Sequence, residues 1–443
     1  MTGVNAIAVP GLKAAQIAAA VPATDADATD ATKALYRRLL GMGYGQIALG
    51  ANERACIIGT DTLSPYGTPA QVATAAGKTP LWLSYEWPDP NTSPNGYAAM
   101  VAALKAHHAA GGICAIHVHW FSYTGGNSWR RRKDSYAEVT QIKNGGAGYA
   151  TWTALLDRLA TFFNVDMVDS SGNKIPVILR LFHECNGWYD YTSINLTAAS
   201  WSGNTYTFQT ATPHGFSSSL FRLFVEGCSP SGYNQYFEAT AFPNSTTFEV
   251  AGWTGNPGTC TVLGTVYAAT GFWWAGSDRA ADLMTVWRET VAYLRDAKGV
   301  HNALYCWCMY PYDGNLFPSS DPSSYPYAPW WPGDAYVDIC AIDYYGESVS
   351  GYAMTQAALR SSMGMLRYYS TTKGKPFGIA ELGYRGGMSN ADLMTTRTFN
   401  AIHQHFPDTS FVAFWDQSTF PAPADTAYAG FQSALQDSRV IGR

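Results

Sequence analysis

The chain has 443 residues, a formal net charge of −5, and only 14% charged against 14% aromatic residues, among them 15 Trp and 28 Tyr. That length buries a full core, with room for two or three domains or for one barrel carrying an extra module. Basic runs are absent apart from Arg130, Arg131, Arg132 and Lys133, which read as a solvated loop. Nucleic acid is therefore not expected as a partner, and no apolar run approaches the about 18 residues of a membrane span.

In chain order, the Ala-rich start lacks a charged segment followed by an unbroken apolar stretch, so no secretory signal is expected and residues 1–30 read as a tail. Eight short apolar runs then alternate with helical stretches, the pattern of parallel βαβ units. They are GQIALG (45–50), TPLWLSYEW (79–87), GICAIHVHW (112–120), IPVILRLFHE (175–184), NALYCWCMY (302–310), YVDICAIDYY (336–345), KPFGIAELG (375–383) and SFVAFWDQ (410–417). Segments such as TALLDRLATFFNVD (153–166) and DLMTVWRETVAYLRDA (282–297) carry apolar residues at helical spacing and are expected to cover a barrel's outside. Residues 196–267 break the pattern: they are rich in Thr, Ser, Gly and Asn, with β-type segments between turn residues. The expected fold is α/β, a (β/α)8 TIM barrel over 31–195 and 268–443 with a small all-β insertion, 196–267, after strand four.

Of the eight cysteines, Cys114, Cys185, Cys306, Cys308 and Cys340 lie in or beside apolar runs and read as free interior thiols. Cys228 and Cys260 share the inserted segment and are the one pair worth testing as a disulfide. Zinc is not expected, because Cys306 and Cys308 have no second Cys/His pair nearby.

Polar residues gather at the carboxyl ends of the strands, His117, His119, His183, Glu184, Tyr345, Glu381 and Trp415 among them, where this fold places its site. Hydrolysis of a glycoside with retention needs two carboxyl groups roughly 5 to 5.5 Å apart, one protonated and one ionised. Strands four and seven face each other across the barrel mouth, so Glu184 and Glu381 could meet over one sugar ring. Each has a structural alternative, Glu184 in a buried network with Arg180 and Glu381 as a cap on the next helix, with Gly383 allowing a sharp turn. The aromatic surplus agrees with a carbohydrate, whose apolar ring faces stack on such side chains.

At these residues the sequence resembles glycoside hydrolase family 26, the β-mannanases and related retaining barrel enzymes. The strand-four motif R-P-x-H-E-x-N-G-x-W-F-W-W-G is matched by Arg180-Leu-Phe-His-Glu-Cys-Asn-Gly187 and, beyond the insertion, by Phe272-Trp-Trp-Ala-Gly276. GGICAIHVH resembles the family's strand three, Trp331 to Asp338 and Asp343-Tyr-Tyr345 its strand-six region, and KPFGIAELG its nucleophile strand. The resemblance implies Glu184 as acid/base and Glu381 as nucleophile, with His183 and Tyr345 tuning them. It also implies sugar contacts from His119, Trp188, Tyr189, Trp274 and Trp415. Leu181 replaces the family's proline and Val118 its strand-three tryptophan, and Trp188 and Tyr189 share the place of one tryptophan, which leaves the sugar open.

The implied activity is a retaining endo-β-glycosidase without cofactor or metal, acting on mannan or on a bacterial exopolysaccharide or capsule, with no nucleic acid or membrane partner. Two segments of the insertion, TPHGFSSSLFRLFVEG and NSTTFEVAG, resemble small β modules of bacteriophage tail proteins, which suggests a phage-borne depolymerase, virion-associated or otherwise extracellular. Two other readings compete: a non-catalytic glycan-binding module, and a metal-dependent amidohydrolase built on His117-Val-His119.

Overall fold

The computed structural model describes residues 14–42, 45–54, 67–119, 138–187, 191–216, 222–251, 255–269, 272–276, 279–311, 326–349, 352–353, 356–385, 391–415, 423 and 428–443. The chain divides into two compact units, one of Met1–His119, Ala150–Cys185 and Met284–Arg443, the other of Trp120–Tyr149 and Asn186–Leu283.

The first unit is a closed parallel barrel. Its strands are β1 (Ile47–Arg54), β2 (Trp82–Glu86), β3 (Ile113–His117) and β4 (Val177–Leu181), then, after β5–β11 of the second unit, β12 (Ala303–Met309), β13 (Ile339–Val349), β15 (Phe377–Arg385) and β16 (Phe411–Phe414). Each pairs with its neighbour in this order, β16 returns to β1, and the β12–β13 pairing completes the ring. Two short strands add to it: β14 (Tyr352–Ala353) pairs with β13 and β17 (Val440–Ile441) with β1. All eight apolar runs of the sequence thus became barrel strands.

Side chains alternate across a strand, so every second residue points inward. Ala48, Trp82, Ile113, Ala115, Ile178, Cys306, Cys308, Ile339, Ala341, Ala380, Phe411 and Ala413 belong to one buried apolar cluster. Trp82 stacks on Phe411 at 4.4 Å within it. Gly50 makes that packing possible: a Cβ there would lie 2.8 Å from the Ala413 Cβ.

The two helical stretches formed as expected, as Tyr149–Thr161 and Ala280–Ala292, and each ends in a π-helical turn, Phe162–Asp166 and Tyr293–Ala297. Trp152, Leu156, Leu159 and Ala160 are the buried residues of the first helix. Among the described residues no helix is long and apolar enough to cross a membrane.

Residues 20–30 are anchored rather than loose. Thr24 donates from its backbone N–H (3.1 Å) and its hydroxyl (2.6 Å) to the buried Asp338 carboxylate, which also accepts the Tyr305 N–H at 2.9 Å. Next to it Asp25 pairs with His301 at 2.8 Å.

The second unit carries a seven-stranded antiparallel sheet: β5 (Tyr191–Ser202), β6 (Thr205–Thr210), β7 (Arg222–Glu226), β8 (Tyr236–Glu238), β9 (Ala241–Asn244), β10 (Thr247–Ala251) and β11 (Thr265–Ala269), in the order β8-β7-β11-β5-β6-β10-β9. Ile194, Leu196, Tyr206, Phe208, Leu223, Val225, Phe237, Phe248 and Val266 form its own core. The first and last strands are paired, with Tyr191 opposite Ala269. Cys228 and Cys260 are both free thiols, and burial together with the neighbouring Cys260 pushes the Cys228 thiol up.

Candidate active site

Strand β4 ends at Leu181, three residues before Glu184, and the chain then turns through Phe182 (φ 39°) and Glu184 (φ 54°). The sequence had suggested a strand running on to Glu184. Left-handed backbone at non-glycine residues costs on the order of 1–3 kcal/mol and persists only where its surroundings enforce it. Here Phe182 lies between Trp152 (5.7 Å, stacked) and Trp287 (6.2 Å), while the Glu184 N–H donates to the Cys308 carbonyl on β12 at 3.0 Å. The turn places the half-buried Glu184 at the carboxyl end of the barrel.

Glu381 reaches the same end by another device. On β15, Gly378 and Ala380 hold inward positions, so simple alternation would turn Glu381 outward. The register of β15 shifts against both neighbours: Ile342 pairs with Ile379 but Asp343 with Glu381, and Ile379 with Val412 but Leu382 with Phe414. This bulge at Ala380 resets the alternation and aims Glu381 inward beside Asp343. The Asn52 amide fixes it, donating to the carbonyls of Ala380 (2.9 Å) and Phe414 (3.0 Å). Glu381 is thus no helix cap, and Gly383 makes no sharp turn: β15 continues through it, paired with Tyr345.

A buried charge network surrounds Glu381. Arg180 on β4 donates from Nη1 to Asp343 Oδ1 at 2.6 Å and from Nη2 to Glu381 Oε1, and the Tyr345 hydroxyl donates to Glu381 Oε2. Arg180 thus turns its two nitrogens to Asp343 and Glu381, whereas the sequence had offered Glu184 as its partner. Burial opposes the guanidinium charge, but Asp343 and Glu381 hold it firmly protonated. Burial pushes the Asp343 carboxyl up, Arg180 working against the shift. The Tyr345 phenol is held well above its ordinary value by burial, then by the charges of Glu381, Asp343 and Glu184. The Glu381 charge comes from β15 and the weaker influence of Glu184 from the turn after β4.

Three imidazoles flank this network. His117 is buried, with Nδ1 at 3.0 Å from the Ser84 hydroxyl. His119 lies 4.8 Å from the His183 ring and places Nδ1 3.3 Å from Glu86 on β2, a carboxylate the sequence reading did not single out. His183 is fully buried and held well below the ordinary imidazole value, by burial first and Arg180 next. The Trp415 ring sits 5.1 Å from His117 and 6.0 Å from His119. Trp274 belongs to the second unit and is fully buried, stacked on Phe272 at 4.4 Å. Trp188, Tyr189 and the basic stretch 130–133 lie outside the described residues.

Among the described residues, His183, Asp343 and Glu381 bring three ligand-type atoms within 4.8 Å of one another. Arg180 already donates to both of those carboxylates, so a cation there would face a guanidinium. The electrostatics suit an organic ion-pair network, and His117 and His119 do not join the cluster.

Residues 266–420, which hold β12 to β16 and Glu381, match the model of Glycosyl hydrolase family 26. A mannan endo-1,4-beta-mannosidase of Bifidobacterium adolescentis is 22% identical over 436 residues, covering 94% of this chain and 34% of that protein. One from Bacillus subtilis is 27% identical over 182 residues, covering 39% of this chain and 42% of that protein. The chain therefore matches well under half the length of either. Among solved structures, a Cellulomonas fimi endo-beta-1,4-mannanase double mutant superposes with a TM-score of 0.65 at 19% identity, over 95% of this chain and 77% of that one. The catalytic domain of a Bacillus sp. JAMB-750 GH26 endo-beta-1,4-mannanase gives 0.64 at 20%, over 96% and 94%. These two structures speak for the barrel, and residues 266–420, the stretch that carries Glu381, are similar to Glycosyl hydrolase family 26.

Proposed function

We propose that the protein is a retaining endo-β-mannanase-like glycosidase in which Glu381 attacks the anomeric carbon and Glu184 is the acid/base. The observation that carries this reading is the hold on Glu381, whose two oxygens accept from Arg180 and from the Tyr345 hydroxyl at the end of the barrel where the turn after β4 places Glu184. In the first step the Glu381 carboxylate forms an ester bond to the anomeric carbon while the glycosidic C–O bond breaks, and the proton of Glu184 passes to the departing oxygen. In the second, Glu184 takes a proton from water, the water oxygen bonds to the anomeric carbon, and Glu381 is released. Arg180 and Tyr345 hold the Glu381 oxygens still, His183 supplies a neutral imidazole beside them, and His119 and Trp415 are the proposed contacts of the cleaved sugar.

Mannan is the substrate favoured by the two relatives. A bacterial exopolysaccharide, suggested by the phage-tail-like segments of the insertion, would use the same chemistry. The test is product release from mannans, xylans, mixed-linkage glucans and bacterial exopolysaccharides by wild type, Glu184→Ala and Glu381→Gln. Loss of turnover in both variants with polymer binding retained is expected; full activity in Glu381→Gln would sink the assignment. A wild type that binds without turnover would instead identify a glycan-binding module.

A further inference from the structure

Cys308 is the residue at which the two halves of the site meet. Its carbonyl accepts the N–H of Glu184 at 3.0 Å, and its thiol donates to Asp343 Oδ1 at 3.1 Å. That oxygen also accepts from Arg180 Nη1 at 2.6 Å, and the other guanidinium nitrogen holds Glu381. Arg180, Asp343 and Cys308 are all buried, so their hydrogen bonds have no water to compete with. We infer that Cys308 is a positioning residue, its S–H stabilising anionic Asp343 so that Arg180 stays balanced between two carboxylates instead of closing on Glu381 alone.

This inference rests on the reading of Glu381 as nucleophile. A carboxylate that bears the whole charge of a buried guanidinium gives up its electron pair less readily, so a neutral Asp343 would weaken attack. Burial favours that neutral form; the Arg180 charge and the Cys308 thiol oppose it. Other groups also face Asp343. His183, from the turn after β4, is held neutral. The Cys306 thiol on β12 is pushed up by burial and stays protonated, and Tyr345 on β13 keeps its proton. The nearby Glu381 charge favours protonation of Asp343. Of these neighbours, Cys308 and Arg180 are the ones that donate to Asp343 Oδ1.

Cys308→Ala removes the donor and keeps the carbonyl that holds Glu184. Asp343 should then take up its proton at higher pH, moving the acid limb of kcat/KM upward by about 0.5–1 pH unit. The loss should fall in kcat, with KM within about twofold. Cys308→Ser restores an O–H donor and should return the limb to, or below, its wild-type position. An unchanged limb in a folded Cys308→Ala, with folding judged by its thermal transition, overturns the inference. If Cys308→Ala does not fold, Cys308→Ser decides alone, since a limb above wild type is incompatible with a hydroxyl acting as the stronger donor. Glu381→Gln is assayed alongside: if it stays active the nucleophile assignment fails and the inference falls with it, whereas an inactive Glu381→Gln beside an unaltered Cys308→Ala overturns the role of the thiol alone.

Discussion

The hydroxyl of Tyr345 is the smallest part on which the proposed chemistry leans. It donates to Glu381 Oε2 while Arg180 takes Oε1, leaving the carboxylate little freedom to rotate. A hydrogen bond to a charged group contributes about 1.5–3 kcal/mol, so Tyr345→Phe should lower kcat roughly 10- to 100-fold with KM little changed. Steady-state kinetics on whichever polysaccharide of the panel is cleaved decide it, and a variant within twofold of wild type would remove Tyr345 from the mechanism. Glu184, Glu381, His119, Tyr345 and Trp415 could all be picked out of the sequence, because polar residues closing apolar strands are conspicuous. Cys308 and Glu86 could not. A thiol between Trp307 and Met309 looks like any small apolar residue, and only the fold brings Asp343 to it or His119 to Glu86.

Among the elements, hydrophobic runs revealed where the strands lie but not their irregularities. The bulge at Ala380 and the left-handed turn at Phe182 and Glu184 aim the two carboxylates, and both depend on contacts with other strands. The turn residues Phe182 to Glu184 include no glycine or proline, and on β15 the glycines stand at 378 and 383, not at the bulged Ala380. Strand β5 was hidden in part for a related reason: its Thr, Ser and Asn residues alternate with only a few apolar ones, Ile194 and Leu196 among them. The segment before the first barrel strand offers a direct test of packing. Asp338 accepts three hydrogen bonds, two of them from Thr24. Asp338→Ala would strand these buried donors and should destabilise the protein by about 2–4 kcal/mol in urea unfolding. A loss below about 1 kcal/mol would mean that the Asp338 hydrogen bonds add little and that contacts such as Asp25 with His301 anchor the segment instead.

For the molecule as a whole, buried imidazoles tie stability to acidity. His183 and His107 are both buried, and burial holds each below its ordinary value. The unfolded chain therefore binds protons that the folded one refuses. The contribution of these two imidazoles is full above about pH 6.5 and is lost on acidification through that value, by up to about 1.4 kcal/mol per pH unit for each, while the raised carboxyl of Asp343 contributes in the opposite sense. His107→Gln should flatten this slope between about pH 5 and 6.5 when unfolding is followed by denaturant titration, and an unaltered slope would assign the effect to other groups.

The pairing of Tyr191 with Ala269 reaches beyond the sheet that contains it. Opposed residues on adjacent antiparallel strands lie only about 5 Å apart, so the module's chain ends enter and leave side by side. From the host's side, a structure with its own hydrophobic core spans no more distance than a hairpin loop. A lineage could therefore gain, lose or exchange such a cassette at this point without lengthening the gap that strand β4's host must bridge to go on to β12.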